Sequence, residues 1–170
     1  MSDGLRFSRL RRRDLGAVLR IERRVFPEPW SAQIFTSELA LRKGRVYRVA
    51  RVGRELVGYF GVMLVDGEAH VTTLAIAPQH QGQGLGTALM LEIVRISREQ
   101  EVDSLSLEVA ALNERAQALY RRFGLAPVGI RKKYYPATGE DAIVMMVRDL
   151  RSGEYARRLM RIEGWLGTAR

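Results

Sequence analysis

His70-Val71-Thr72-Thr73-Leu74-Ala75-Ile76-Ala77-Pro78, continued by Gln79-His80-Gln81-Gly82-Gln83-Gly84-Leu85-Gly86-Thr87, reads as a strand, a glycine loop and the start of a helix. Glycines let a backbone approach a ligand closely, and the free amides of a helix start point toward it, which suits a phosphate or pyrophosphate. A nucleotide P-loop needs Lys and then Ser or Thr after its last glycine, but here Gly86 leads straight to Thr87. A dinucleotide fingerprint needs a glycine where Thr87 stands, and its unit would open the domain and not follow a series of strands. What remains is a different phosphate ligand or a purely structural turn.

Upstream, Val46 to Val52, Leu56 to Val65 and Glu68 to Ala77 are strand-like, and Gly53-Arg54 and Asp66-Gly67 are tight-turn pairs, so an antiparallel meander is expected. Before it, apolar spacing predicts a helix over 12–25 with Asp14 in its first turn. Phe26-Pro27-Glu28-Pro29-Trp30 breaks that helix, and Ser31 is the expected N-cap of a second one, 32–42. Downstream, 84–100 predicts a helix, Leu105, Leu107 and Val109 alternate as a strand, and a helix from Asn113 to Phe123 stops at Gly124. Val128 to Lys133 and Ala142 to Val147 supply two more strands, completing a mixed α/β order. In the tail, 151–170, Tyr155, Leu159, Ile162 and Leu166 recur at helical spacing among arginines. That pattern predicts an amphipathic helix that either caps the core, makes a dimer contact or faces a polyanion.

A length of 170 residues, 46% hydrophobic and 28% charged with mean hydropathy −0.15, predicts one soluble globular domain over 1–150 with 151–170 as its extension. No apolar run is long enough for a membrane span, and Met1 to Arg6 leads into Arg11-Arg12-Arg13, so neither a membrane nor a secretory signal is expected and the cytoplasm is the default. The absence of cysteine excludes disulfides, thiolate nucleophiles and thiolate metal sites. Only His70 and His80 remain as nitrogen ligands, so no metal and no Ser-His-Asp hydrolase is expected. The formal charge of +9 is concentrated at the ends: residues 1–30 carry 8 basic against 4 acidic side chains and residues 131–170 carry 9 against 5. Basic termini are drawn to polyanions, so a weak nucleic-acid or ribosome contact is expected there, on a monomer or weak dimer.

Gln81-x-x-Gly84-x-Gly86 after Ala77-Pro78 resembles the acetyl-coenzyme A loop of the GNAT superfamily of N-acetyltransferases. Pro29-Trp30-Ser31, Leu107-Glu108-Val109, Asn113 through Ala118-Leu119-Tyr120, Gly129-x-Arg131 with Tyr134-Tyr135-Pro136, and Glu140-Asp141-Ala142 are similar to its RimI branch of bacterial N-terminal protein acetyltransferases. The resemblance runs over about residues 5–148. It implies a mostly antiparallel twisted sheet of about seven strands, helices on both faces, and a splayed parallel pair that holds acetyl-coenzyme A. It further implies that Gln81, Gly82, Gln83, Gly84, Leu85, Gly86 and Thr87 hold the pyrophosphate, and that the backbone of Leu74, Ala75 and Ile76 receives the pantetheine arm like an added strand. The sequence departs from the family at Ala110-Ala111-Leu112, where a basic residue and a serine are usual, and at Leu125, where an aromatic is usual.

Acetyl transfer to an amine requires a neutral amine, a polarised thioester and a proton for the departing thiolate. An α-amino group has a reference pKa near 7.7–8.0 and a lysine about 10.4, so a carboxylate base has the easier task on a protein N-terminus. Glu108 points away from the face buried by Leu105, Leu107 and Val109; from periodicity it is a solvated strand residue, and the resemblance makes it the base. Tyr120 is either a core aromatic beside Leu119 and Phe123 or, as the resemblance implies, the acid; it shares a helix face with Asn113, an N-cap that the resemblance also brings to the cofactor. Phe26, Trp30, Tyr134 and Tyr135 are implied to wall the acceptor entrance, where Glu140 and Asp141 either attract an ammonium group or pair with Arg131 to Lys133. Without cysteine, direct attack in a ternary complex is expected, with a protein N-terminus, ribosomal in the implied branch, as acceptor. Acetylation of lysine side chains or small amines, and a non-catalytic acyl-coenzyme A module docked on RNA, are the alternatives.

Overall fold

Two strands that alternate buried and half-exposed side chains, Glu68–Ile76 and Ser104–Ala110, and a mostly buried one, Glu55–Val65, form the centre of a seven-stranded sheet in the computed structural model, which describes residues 4–168. Side by side lie β1 (Leu5–Arg9), β2 (Arg45–Val52), β3 (Glu55–Val65), β4 (Glu68–Ile76), β5 (Ser104–Ala110), β7 (Glu140–Val147) and β6 (Ala126–Tyr135). All neighbours are antiparallel except β4 and β5, which run parallel. The helices are α1 (Leu15–Val25), α2 (Ala32–Ala40), α3 (Leu85–Glu99), α4 (Glu114–Arg122) and α5 (Gly153–Thr168). The expected mixed α/β, mostly antiparallel architecture is therefore present. Asp66 and Gly67 both take positive φ, 50° and 78°, which gives the β3–β4 hairpin the turn that matches strand twist.

The last two strands run beyond expectation, β6 by two residues at each end and β7 by two at its start, and the N-terminal region differs more. Strand β1 was not foreseen, because a five-residue edge strand with only Leu5 and Phe7 half-buried carries almost no periodic signal. Arg12–Asp14 is a separate short 3-10 turn and not the start of the first helix: buried Asp14 accepts from the Arg11 amide at 2.8 Å and from Arg51 at 2.5 Å. The second helix ends at Ala40, short of 42, while its N-cap is as expected, with Ser31 accepting from the Ile34 amide. Residues 1–3 of the opening and 169–170 of the tail lie outside the described residues.

The sheet separates two cores. One, under α3, α4 and α5, contains Phe60, Leu89, Ile93, Leu107, Phe123 and Ile162; the other, under α1 and α2, contains Val18, Ile21, Phe35, Val49 and Tyr59. The apolar stripe of α5 buries Tyr155, Leu159 and Ile162 against the first core. The Tyr155 hydroxyl also donates to the Phe123 carbonyl at 2.7 Å and Arg158 to the Arg122 carbonyl at 3.3 Å, satisfying groups that the end of α4 leaves open.

Strand β4 meets β5 only over Glu68–His70, opposite Ser104–Ser106. Just beyond, its register against β3 slips: Gly61 faces Thr73 and Val62 faces Val71, leaving Thr72 as an extra residue. Such a bulge bends a strand and increases its twist. It also turns β4 over, since Ala69 and Val71 enter one core while Ala75 and Ala77 enter the other. Gly61 makes room for it: a Cβ there would overlap the Tyr47 ring and lie 2.7 Å from Thr72 Oγ1. Gly61→Ala is expected to cost about 1–3 kcal/mol through overpacking. A thermal melt checks this, at roughly 2–4 °C of Tm per kcal/mol; an unchanged Tm would mean that the bulge shifts freely.

Candidate active site

Where β4 and β5 part, the sheet opens into a fork, and the edge of β4 through Leu74, Ala75 and Ile76 has no β5 partner. Such an edge offers backbone donors and acceptors to an extended ligand. Inside the fork stands Glu108, its side chain only 12% exposed, so it is not the solvated strand glutamate that periodicity alone suggests. Glu108 Oε2 lies 2.7 Å from His70 Nε2, and His70 Nδ1 lies 2.8 Å from Ser106 Oγ. A carboxylate only accepts, so Nε2 carries the hydrogen and, on a neutral ring, Nδ1 accepts from the Ser106 hydroxyl. Arg131 Nε approaches Glu108 Oε1 at 3.3 Å from a mostly exposed position.

Tyr120 reaches the same region from α4. Burial, and secondarily the neighbouring Tyr135, pushes its phenol up to about 12. Its hydroxyl makes no protein hydrogen bond among the described residues, yet it is not sealed from solvent. Tyr135 is also raised to about 12, by burial first and then by Tyr134, Glu108 and Glu140. Tyr135 therefore lies within electrostatic reach of both Tyr120 and Glu108. Asn113 caps α4, accepting from the Ala116 amide at 3.1 Å. Buried Gln117 donates to the carbonyls of Ala110 (3.2 Å) and Ala111 (2.9 Å), tying α4 to the end of β5.

The glycine loop, 81–87, follows β4 and runs into the start of α3. Gly82 and Gly84 take φ of 78° and 79°, a conformation that favours glycine, and Gly84 caps α3 at its start. Gln81 and Gln83 bind back to the carbonyls of Ile76 and Gln79, at 3.2 and 3.4 Å, which leaves the loop amides as its donors. Leu85 anchors the helix start in the core, and a Cβ on Gly86 would come within 3.0 Å of Leu119, so Gly86 lets α4 approach α3. Thr87 is turned inward, its hydroxyl accepting from Arg122 at 3.1 Å. Arg115 lies over Gly82, so α4 brings a cation to the loop that the sequence reading missed.

The expected acceptor residues divide. Tyr134 and Tyr135 meet edge to face at 5.1 Å beside Glu108, with Arg131 stacked over Tyr134. Phe26 and Trp30 pack against the second core, Trp30 lying 5.2 Å from Phe35. The Trp30 amide donates at 3.0 Å to Glu22, which also accepts from the Tyr59 hydroxyl; burial raises the Glu22 pKa in spite of both bonds. Glu28 accepts from the Ala137 amide at 2.6 Å, joining the loop after α1 to the turn after β6. Glu140 accepts from the Leu112 amide at 2.7 Å, and Asp141 from Lys132 at 3.1 Å and the Lys133 amide at 2.8 Å. These bonds, the Lys133 amide foremost, hold the Asp141 carboxyl below its usual range, so Asp141 takes the ion-pair alternative. His70 and Ser106 were not singled out as site residues. The only sequence signal was a lone titratable ring among the inner residues of a strand that also carries Thr72 and Thr73, and its partner depends on the parallel register.

Among the described residues no group of three His, Cys, Asp or Glu could hold a metal ion, and no helix is long and apolar enough to cross a membrane. Residues 15–125 match the acetyltransferase (GNAT) family. A Bacillus subtilis (strain 168) protein, provisionally named a ribosomal protein bS18-alanine N-acetyltransferase, is 40% identical over 138 residues, 81% of this chain and 91% of that protein. The ribosomal protein bS18-alanine N-acetyltransferase of Escherichia coli (strain K12) is 36% identical over 140 residues, 81% of this chain and 93% of that one. A crystal structure of the ribosomal-protein-S18-alanine N-acetyltransferase from Escherichia coli superposes with a TM-score of 0.80 at 33% identity, covering 88% of this chain and 97% of that chain.

Proposed function

Since the chain belongs to the acetyltransferase (GNAT) family and is an acetyl-coenzyme A-dependent N-acetyltransferase of RimI-like sequence, we propose that its acceptor is the α-amino group of a ribosomal protein of the bS18 kind. The observation that carries the reading is Glu108, held by His70 and Ser106 in the fork where β4 and β5 separate. Acetyl-coenzyme A supplies the thioester carbonyl on which the amine forms its new C–N bond. The loop amides after Gln81, from Gly82 to Thr87, face the pyrophosphate, while the Gln81 amide is held by the Pro78 carbonyl. On the edge of β4 away from β3, the backbone of Leu74 and the amide of Ile76 bond the pantetheine arm, and Ala75 between them turns its own groups to β3. Glu108 takes the proton that the attacking amine loses, and His70 keeps the carboxylate aimed into the fork. The Tyr120 hydroxyl donates a hydrogen bond to sulfur as the C–S bond breaks. No cysteine is present to carry an acetyl group, so attack is direct within a ternary complex, and no side-chain constellation requires a metal.

Tyr134 and Tyr135 line the entrance, and Glu28 and Glu140 brace the loops around it. A ribosomal acceptor places the enzyme in the cytoplasm. Coenzyme A release is measured with short peptides bearing free N-termini, each paired with an N-blocked, lysine-containing twin. Turnover on the free N-termini, Ala-initiated peptides above all, is the expected result. Turnover confined to the blocked lysine peptides would move the acceptor to side chains.

A further inference from the structure

On the α1 side of the molecule a cleft of about 620 Å³ opens between α1, the end of β2 with the turn after it, and the end of β4. Its walls carry Arg13, Arg20, Arg23, Arg24, Arg51 and Arg54. The two lining acids are already engaged, Asp14 with Arg51 and the Arg11 amide, Glu55 with His80 and Gln79. Arg51 is neutralised by Asp14, and Arg24 reaches only the neutral Gln79 at 3.4 Å. Arg13, Arg20, Arg23 and Arg54 make no ion pair among the described residues. A second hollow of about 580 Å³ shares Arg13, Asp14 and Arg51 and carries the groove on past Arg6.

The arrangement is linear. Ala17, Arg20 and Arg24 form one helical stripe, with Arg13 in the turn before it, so this wall runs roughly 16 Å at 1.5 Å per residue. A single phosphate would need converging donors, whereas cations strung along two walls match a chain of phosphates. None of the exposed large apolar side chains lines the cleft, so it lacks the anchors a lipid surface would take up. The basic excess of the N-terminal region is thus gathered on one face. At the other end, Lys132 and Arg131 are paired with acids, while Arg157 and Arg161 of α5 make no ion pair among the described residues but line neither hollow.

We propose that this cleft binds the phosphodiester backbone of RNA, holding the enzyme on a ribonucleoprotein while the loop after α1 faces the acceptor. The choice of RNA among linear polyanions rests on the ribosomal-acceptor reading. Fluorescence anisotropy of a fluorescein-labelled 20-nucleotide RNA, single-stranded and as a duplex, tests it on the full chain. The double variant Arg20→Glu, Arg54→Glu should weaken binding by about tenfold or more at low salt, and reduce the slope of log affinity against log salt by about 1.4, the value for two single-strand phosphate contacts. The control Arg157→Glu, Arg161→Glu on α5 makes the same charge change elsewhere and should leave most of the affinity. Equal weakening by both pairs, no RNA binding by the wild type at low salt, or binding only to phosphatidylserine vesicles would each overturn the proposal. Acetylation of a free peptide, scored separately and expected to be unchanged in both variants, distinguishes failure of the RNA site from failure of the acceptor assignment.

Discussion

Glu108→Gln is expected to lower kcat by roughly 10²- to 10⁴-fold, the range for removing a general base, and to leave the affinity for acetyl-coenzyme A nearly unchanged. The substitution keeps the shape and an oxygen that accepts from His70 Nε2, so the fork stays intact while the proton acceptor is lost. The ion pair with Arg131 also goes, but that guanidinium is mostly exposed and contributes little. The deficit should deepen as pH falls below the amine's range of about 7.7–8.0, where fewer acceptors arrive neutral, and shrink above it. A pH profile of kcat and kcat/KM checks both parts; wild-type rates across pH 6–9 would remove Glu108 from the chemistry.

Tyr120→Phe should reduce kcat by about 10²-fold, a loss comparable to removing one preorganised hydrogen-bond donor, with Tm close to wild type. Stability is spared because the hydroxyl bonds no protein group among the described residues, so none is left unpaired. Burial holds the phenol up to about 12, well above the ~8.5 of an ordinary thiol. Full proton transfer to sulfur is therefore uphill, and the residue acts by donating a hydrogen bond to the charge that develops there. Its removal should accordingly lower the rate by a constant factor below pH ~10, without the pH-dependent deficit of Glu108→Gln. Unimpaired turnover in the variant would return Tyr120 to the core.

Most of the sheet was legible because β4 and β5 alternate, β3 is a continuous apolar run, and the turns use Gly53, Asp66 and Gly67 at positive φ. Helix α4 was readable from both ends, Asn113 capping it and Gly124 stopping it at φ 84°. Strand β1 was not, since pairing with β2 stabilises it more than its own side chains do. Glu108 and Tyr120 were found through motif resemblance; spacing alone left both ambiguous. His70 escaped because its meaning depends on a parallel register with Ser106 and on the fork just beyond, neither of which is local. Pairing of Asp141 with the 131–133 stretch was one of the two readings the sequence left open, and the structure selects it. The partner of Glu140, the Leu112 amide, was hidden because it is brought close by the chain that leaves β5.

The bulge at Thr72 makes the fork a matter of residue count more than of residue identity. The Thr72 hydroxyl meets that of Tyr47 at 3.3 Å, but it is the extra residue itself that sets which core receives Leu74 and Ile76, just past the point where β4 leaves β5. Loss of one codon there would put β4 back in step with β3 and carry its outer half to the wrong face. In genetic terms this stretch of β4 is exposed to an in-frame deletion of three nucleotides more than to a missense change that keeps the residue count.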